Sequence, residues 1–231
     1  MSKQKSALIV GASRGLGLAI VRELLDRGWK VTGTGRNGKK TQLHALAEQY
    51  QEHLEVEHVD ITEINQIAAL KNRLIGRRFN LLFVNAGIIN DPPYETIGEV
   101  STEEFVRVMV TNSLSTMRVV EQFTENVRLG GTVGVMSSGQ GSVADNEKGE
   151  FEAYRASKAA LNMLMKSFAA RRGKDHALLL LAPGWVKTDM GGPDAKFTIE
   201  EVIHDIVDTI LAQEGRRGLQ YLDRLGKTVR W

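Results

Sequence analysis

Short apolar runs alternate with amphipathic stretches along this chain. Ala7–Val10 is apolar and closes on a glycine, so it predicts a first strand. Leu16–Arg27 follows with Leu16, Ile20 and Leu24 near one face, the spacing of a helix. The alternation continues with strands at Val31–Thr34, Leu54–Val59, Leu81–Val84, Thr132–Met136 and Ala177–Leu181. Between and after them come helical patterns over Gln42–Gln51, Glu63–Ile75, Thr102–Arg128, Tyr154–Arg171 and Ile199–Gln213. Leu219–Leu222 reads as a seventh strand. Four- to six-residue apolar strands separated by helices signal βαβ units. Runs such as Leu81-Leu82-Phe83-Val84 carry no polar alternation, as expected of a parallel sheet covered on both faces. The expected fold is α/β, a Rossmann-type doubly wound parallel sheet in one domain spanning residues 1–231. Two glycine-rich stretches, Gly139–Gly149 and Gly184–Gly192, each start just after a strand. Ligands of such sheets bind outside the carboxyl ends of the strands, so both stretches should border the site.

Between the first strand and its helix stands Gly11-Ala12-Ser13-Arg14-Gly15-Leu16-Gly17. Glycines let the backbone approach a pyrophosphate, and a helix N-terminus offers free N–H groups and a favourable dipole. The spacing is G-x-x-x-G-x-G, a variant of the general dinucleotide fingerprint. An acid about 20 residues further on would bind the ribose hydroxyl of NAD, whereas an arginine suits the extra phosphate of NADP. There is no acid between Asp26 and Glu48, but Lys30, Arg36, Lys39 and Lys40 lie there, with Arg36 directly after the second strand. Arg14 in the turn can reach the same phosphate. NADP(H) is therefore the expected cofactor, ahead of NAD(H).

Tyr154 and Lys158 are four residues apart near the start of a helix, and so share a face. A free tyrosine titrates near pH 10, and a neighbouring ammonium is expected to lower that value toward working pH. Upstream, the fifth strand runs into Ser137 and Ser138. A hydroxyl at that strand end would steady charge developing on a carbonyl oxygen.

Composition narrows the classes further. The 231 residues are 42% hydrophobic, enough to bury a core without staples. There is no cysteine, which removes disulfides, thiolate metal sites and a cysteine nucleophile. The net charge is only +2, with dispersed basic residues, so nucleic acid is not an expected partner. The longest apolar run, Ala177–Ala182, is strand-sized, so neither a signal peptide nor a membrane span is expected. The expected location is the cytoplasm, and no metal is called for.

Taken in order, these pieces resemble the short-chain dehydrogenase/reductase family over nearly the whole chain. The resemblance makes residues 11–17 its cofactor turn. It matches Asp60 to the acid that contacts adenine, with Ile61 beside it, and Asn85-Ala86-Gly87 to the family's Asn-Ala-Gly motif. Asn112 matches the helix asparagine of the proton relay. Ser138, Tyr154 and Lys158 match the catalytic serine, tyrosine and lysine. Pro183-Gly184-Trp185-Val186-Lys187-Thr188 resembles the segment beside the nicotinamide, in which Pro183, Gly184, Val186 and Thr188 are cofactor contacts, with a small substrate lid near 184–197.

Nearer still, Ser137-Ser138, Gly141-Ser142-Val143, Tyr154 to Asn162 and Pro183 to Gly192 are similar to the C-factor-like and sniffer-like carbonyl reductases. The resemblance implies interconversion of a carbonyl compound and an alcohol by hydride transfer. In it Tyr154 carries the proton, Ser138 holds the oxygen and Lys158 binds the ribose. It also implies a homodimer or homotetramer through the helices beginning near Thr102 and Tyr154. The Ser138–Tyr154 stretch is longer than in the wider family, so Ser137 and Ser142 stay open as the hydroxyl. Ser138 is preferred because Ser137 should point to the other face of its strand. Relatives of this kind include developmental signals, so a cofactor-binding signalling or regulatory protein is the alternative.

Overall fold

A computed structural model describes residues 4–36 and 40–231. Lys39 of the basic stretch lies outside the described residues. Seven parallel strands form one sheet in the order β3-β2-β1-β4-β5-β6-β7. They are β1 (Ser6–Val10), β2 (Lys30–Gly35), β3 (Leu54–His58), β4 (Phe79–Val84), β5 (Val127–Met136), β6 (Ala177–Ala182) and β7 (Gly218–Asp223). The helices are α1 (Gly15–Asp26), α2 (Gln42–Gln49), α3 (Ile64–Arg73), α4 (Thr102–Met109), α5 (Thr116–Phe123), α6 (Glu152–Arg172) and α7 (Ile199–Leu211). The doubly wound parallel fold is the expected one.

Successive side chains of a strand leave it on opposite faces, so each continuous apolar run feeds two cores. In β1, Ala7 and Ile9 enter the core that includes α1, α2 and α7, while Leu8 and Val10 enter the one under α3, α5 and α6. Burying one such side chain contributes about 1.5–3 kcal/mol, which is why the register Ile9↔Phe83 and Val10↔Val84 is not free to slip by one. Strand order runs outward from β1 in both directions, and the crevice at this switch point is where ligands of such sheets bind. The segments following β1, β4, β5 and β6 all leave the sheet at that end.

The long helix expected over Thr102–Arg128 is not continuous. A π turn over Val110–Ser115 separates α4 from α5, and β5 begins already at Val127. β5 is thus five residues longer at its start than the pattern predicted. Gly130 and Gly131 hid that extension, because they interrupt the apolar run. α7 starts where a capping box sets it: Thr198 Oγ1 accepts from the Glu201 N–H, and the Thr198 N–H donates to Glu201 Oε2 at 2.7 Å.

Candidate active site

The glycine turn is shaped by close backbone approach. Gly11 adopts a φ of +86°, and a Cβ there would lie 2.6 Å from the backbone nitrogen of Ala86. A Cβ on Gly17 would lie 2.1 Å from the Gly11 oxygen. Asn85 Nδ2 donates to that oxygen at 2.8 Å, so the Asn85-Ala86-Gly87 segment braces the turn from the β4 side. Ala12 N donates to Thr34 O at 2.7 Å, tying the turn to β2. Gly15 and partly buried Leu16 then open α1. The result is a side-chain-free cradle at a helix N-terminus, the arrangement a pyrophosphate needs.

Around its rim stand the residues read as cofactor contacts. Ser13 Cβ is 3.5 Å from where a Cβ on Gly35 would fall, which puts Ser13 beside the strand end that carries exposed Arg36. Arg14 is exposed, and its Nη1 donates to Asp189 Oδ2 at 2.6 Å. That pair joins the turn to the segment after β6, and at such exposure it is worth only about 0–1 kcal/mol. Asp60 Oδ1 accepts from the Thr62 N–H at 2.9 Å and its hydroxyl at 2.7 Å, a local turn at the end of β3. Ile61 is buried, so its side chain serves the core.

At the carboxyl end of β5 the structure brings Ser138, Tyr154 and Lys158 together. The Ser138 hydroxyl lies close enough to the Tyr154 phenol to affect its ionisation, and it accepts from Gln140 N at 3.1 Å. Ser137 and Ser142 do not share this place. Ser137 is buried and donates to Asn162 Oδ1 at 2.6 Å; Ser142 is buried and accepts from Asp145 N at 3.1 Å. Lys158 is 3% exposed and donates to the Met136 carbonyl at 2.9 Å. Asn112 stands on the π turn, fully buried. Its amide holds Ile88 through both backbone groups at 2.8 Å and donates to Ser157 Oγ at 2.9 Å. Asn112 Oδ1 and Lys158 Nζ converge on Gly87, lying 3.3 and 3.4 Å from where its Cβ would be.

One electrostatic expectation is corrected. Burial pushes the Tyr154 phenol up to about 12, and the nearby Ser138 hydroxyl offsets only part of this. The Lys158 ammonium, 5.6 Å from the tyrosine ring centroid and turned to Met136, does not outweigh that burial. Burial also pushes Lys158 down, to about 8. An ammonium has three donors. The one hydrogen bond found for this ammonium among the described residues is to Met136. A buried cation with donors to spare fits the hydroxyls of a bound ribose.

Residues 184–197 fold back on themselves after Pro183. A bridge joins Val186 to Phe197, and Lys187 N donates to Phe197 O at 2.8 Å. Thr188 Oγ1 accepts from Gly191 N at 3.0 Å, and Trp185 Nε1 donates to Gly191 O at 2.8 Å. Gly184 keeps a φ of +90°, and Trp185 and Met190 are exposed. The Met136 carbonyl escaped the sequence reading, since no side-chain pattern announces a backbone acceptor.

Fold and site together define an oxidoreductase of the Rossmann type. The model of the short chain dehydrogenase family matches residues 5–197, and the chain belongs to that family. It is 56% identical to a short-chain dehydrogenase/reductase of Burkholderia multivorans crystallised with bound NADP, with a TM-score of 0.98 over 99% of this chain and 100% of that one. It is 28% identical to the carbonyl reductase Sniffer of D. melanogaster, with a TM-score of 0.83 over 99% and 100% of the two chains. It is also 33% identical over 155 residues to C-signal of Myxococcus xanthus, covering 66% of this chain and 92% of that protein. The resemblance to C-factor-like and sniffer-like proteins read from the motifs is thus present in both sequence and fold. Among the described residues no helix is long and apolar enough to cross a membrane.

Proposed function

We propose that this protein is an NADP(H)-dependent carbonyl reductase working through Ser138, Tyr154 and Lys158. The observation that carries the reading is the buried Lys158 ammonium with spare donors, set beside Tyr154 and the glycine cradle. Residues 11–17 would hold the pyrophosphate, Arg14 and Arg36 the extra phosphate, and Lys158 the ribose. Asp60 and the Ile61 backbone would meet the adenine; Asn85, Ala86, Gly87, Pro183, Gly184, Val186 and Thr188 would flank the nicotinamide. When bound, the nicotinamide exchanges a hydride with the carbonyl carbon, chemistry that belongs to the cofactor.

The chain's own residues move the proton. With its phenol near 12, Tyr154 is protonated at neutral pH and delivers that proton to the carbonyl oxygen during reduction. Ser138 donates to the same oxygen and holds it in reach. In the oxidative direction Tyr154 must first lose the proton, so oxidation rises with pH where reduction falls. Val106, Leu114, Met163 and Leu164 expose apolar surface around α4, the π turn and α6, which supports association into a homo-oligomer. The match to C-signal favours a second reading, a cofactor-binding signal on the same fold. NADPH oxidation against a panel of aldehydes, ketones and quinones separates the two. Turnover supports the reductase, and NADPH binding without turnover on any carbonyl overturns it.

Two outcomes test the cofactor side. Arg36→Asp should weaken NADPH binding about ten- to a hundredfold, the worth of one charge-assisted hydrogen bond, while improving NADH binding. Titration showing that the wild type prefers NADH would sink the assignment. Residues 184–192 should exchange their amide hydrogens more slowly once NADPH is added, as a lid ordered by its ligand. Unchanged exchange at saturating NADPH would make the segment a plain structural loop.

A further inference from the structure

Behind Ser138 lies a buried polar cluster on elements far apart in sequence. Tyr221 is the fourth residue of β7 and is 2% exposed. β7 pairs with β6 in the register Leu180↔Tyr221, which directs the ring into the core shared with α6. Its hydroxyl donates to the Ser138 carbonyl at 2.5 Å. The same carbonyl accepts from Gly141 N at 2.9 Å, so both of its lone pairs are engaged. Ser137 and Asn162 side chains reach the Tyr221 phenol oxygen. Asn162 stands one helical turn beyond Lys158 and also donates to Gly141 O at 3.2 Å. Burial pushes the Tyr221 phenol up, which keeps its proton in place as a donor.

A turn at Asp223–Gly226 sends the chain back along β7, and Val229 N donates to Tyr221 O at 2.9 Å. This return lays the Trp231 ring 5.4 Å from the Tyr221 ring. The Trp231 carbonyl accepts from Ala144 N at 2.9 Å. Tyr221 and Trp231 therefore hold the loop after β5 at two points, Ser138 and Ala144.

We propose that Tyr221 is a positioning residue for carbonyl reduction: through the Ser138 carbonyl it fixes the backbone from which the Ser138 hydroxyl reaches Tyr154. The inference rests on the role given to Ser138 above. Ser138 lies beyond the last paired residues of the β5–β6 ladder, Met136 and Leu181, so the sheet does not hold its carbonyl. A hydroxyl displaced by about 1 Å at a reacting oxygen can cost about 10²-fold in rate.

The test is a double-mutant cycle read by NADPH oxidation on para-nitrobenzaldehyde, or on the best carbonyl of the panel. Rates are normalised to NADPH-binding sites, so that partial misfolding does not count as lost turnover. Tyr221→Phe keeps the ring and its packing against Trp231. It should lower kcat about tenfold while KM and the NADPH Kd stay within about twofold. In a Ser138→Ala background the same change should cost nothing further, because the group being positioned is gone. A purely structural tyrosine would lower kcat equally in both backgrounds, and that result overturns the proposal. So does an unchanged kcat in Tyr221→Phe alone. If Ser138→Ala itself keeps wild-type turnover, the role of Ser138 fails, which is a distinct result.

Discussion

Tyr154→Phe should reduce turnover by about 10²–10⁴ and leave NADPH affinity nearly unchanged. The substitution keeps the ring, its half-buried setting and the start of α6. It removes the proton that the proposed mechanism transfers to the carbonyl oxygen. A positioned general acid is worth that factor, because the developing alkoxide otherwise waits for water. The phenol is assigned to the substrate and not to a phosphate, so binding should not follow turnover. The pH dependence carries the same sign. Burial holds the phenol near 12 and the ammonium of Lys158 near 8, so reduction should decline first as Lys158 loses its charge above about pH 8 and further as the tyrosine ionises. Stopped-flow turnover and NADPH fluorescence titration on the folded variant measure the two quantities. Near-normal reduction by Tyr154→Phe would overturn the acid while leaving the cofactor cradle standing.

Lys158→Met should do more, and in two directions. It should lose turnover and about ten- to a hundredfold in NADPH affinity, because the ammonium is assigned to the ribose. It should also make the protein more stable at neutral pH. Burial lowers the folded-state value of Lys158 from 10.5 to about 8, which at 1.36 kcal/mol per pKa unit corresponds to about 3 kcal/mol held against the charged form. Losing the bond to Met136 returns about 1 kcal/mol, so the net gain is about 2 kcal/mol. For a chain of this size that is a rise in Tm of about 5 °C. Below pH about 8 the lysine is charged in both states and the penalty is fully present. Between about 8 and 10.5 the unfolded chain binds the extra proton, so wild-type stability climbs and the variant's advantage fades. Thermal melts at neutral and alkaline pH check this. A lower Tm at neutral pH would show that the ammonium stabilises the fold.

Much of this architecture was legible before any coordinates, because it rests on local physics. Apolar runs of strand length, such as Ala177–Ala182, leave few options but a covered sheet. Gly11 to Gly17 marks a backbone that must come close to something, and a four-residue spacing puts Tyr154 and Lys158 on one helical face whatever surrounds them. The missing acid around Arg36 is equally a one-dimensional fact.

What the chain alone left open depends on neighbours distant in sequence. Ser138 is the one of the three serines beside Tyr154, because Asn162 takes Ser137 and the Asp145 amide takes Ser142. The extension of β5 over Gly130 and Gly131 is set by pairing with β4, which overrides the weak strand propensity of glycine. The upward direction of the Tyr154 shift is not legible in the sequence, because spacing reports proximity along a helix and says nothing of burial. Desolvation by the whole fold outweighs one ammonium that points elsewhere. Sequence patterns therefore determined which groups this protein brings to its site. Only tertiary structure decided their protonation, their partners and the buried bond from Tyr221 to Ser138, because burial and long-range hydrogen bonding arise from packing that no local pattern encodes.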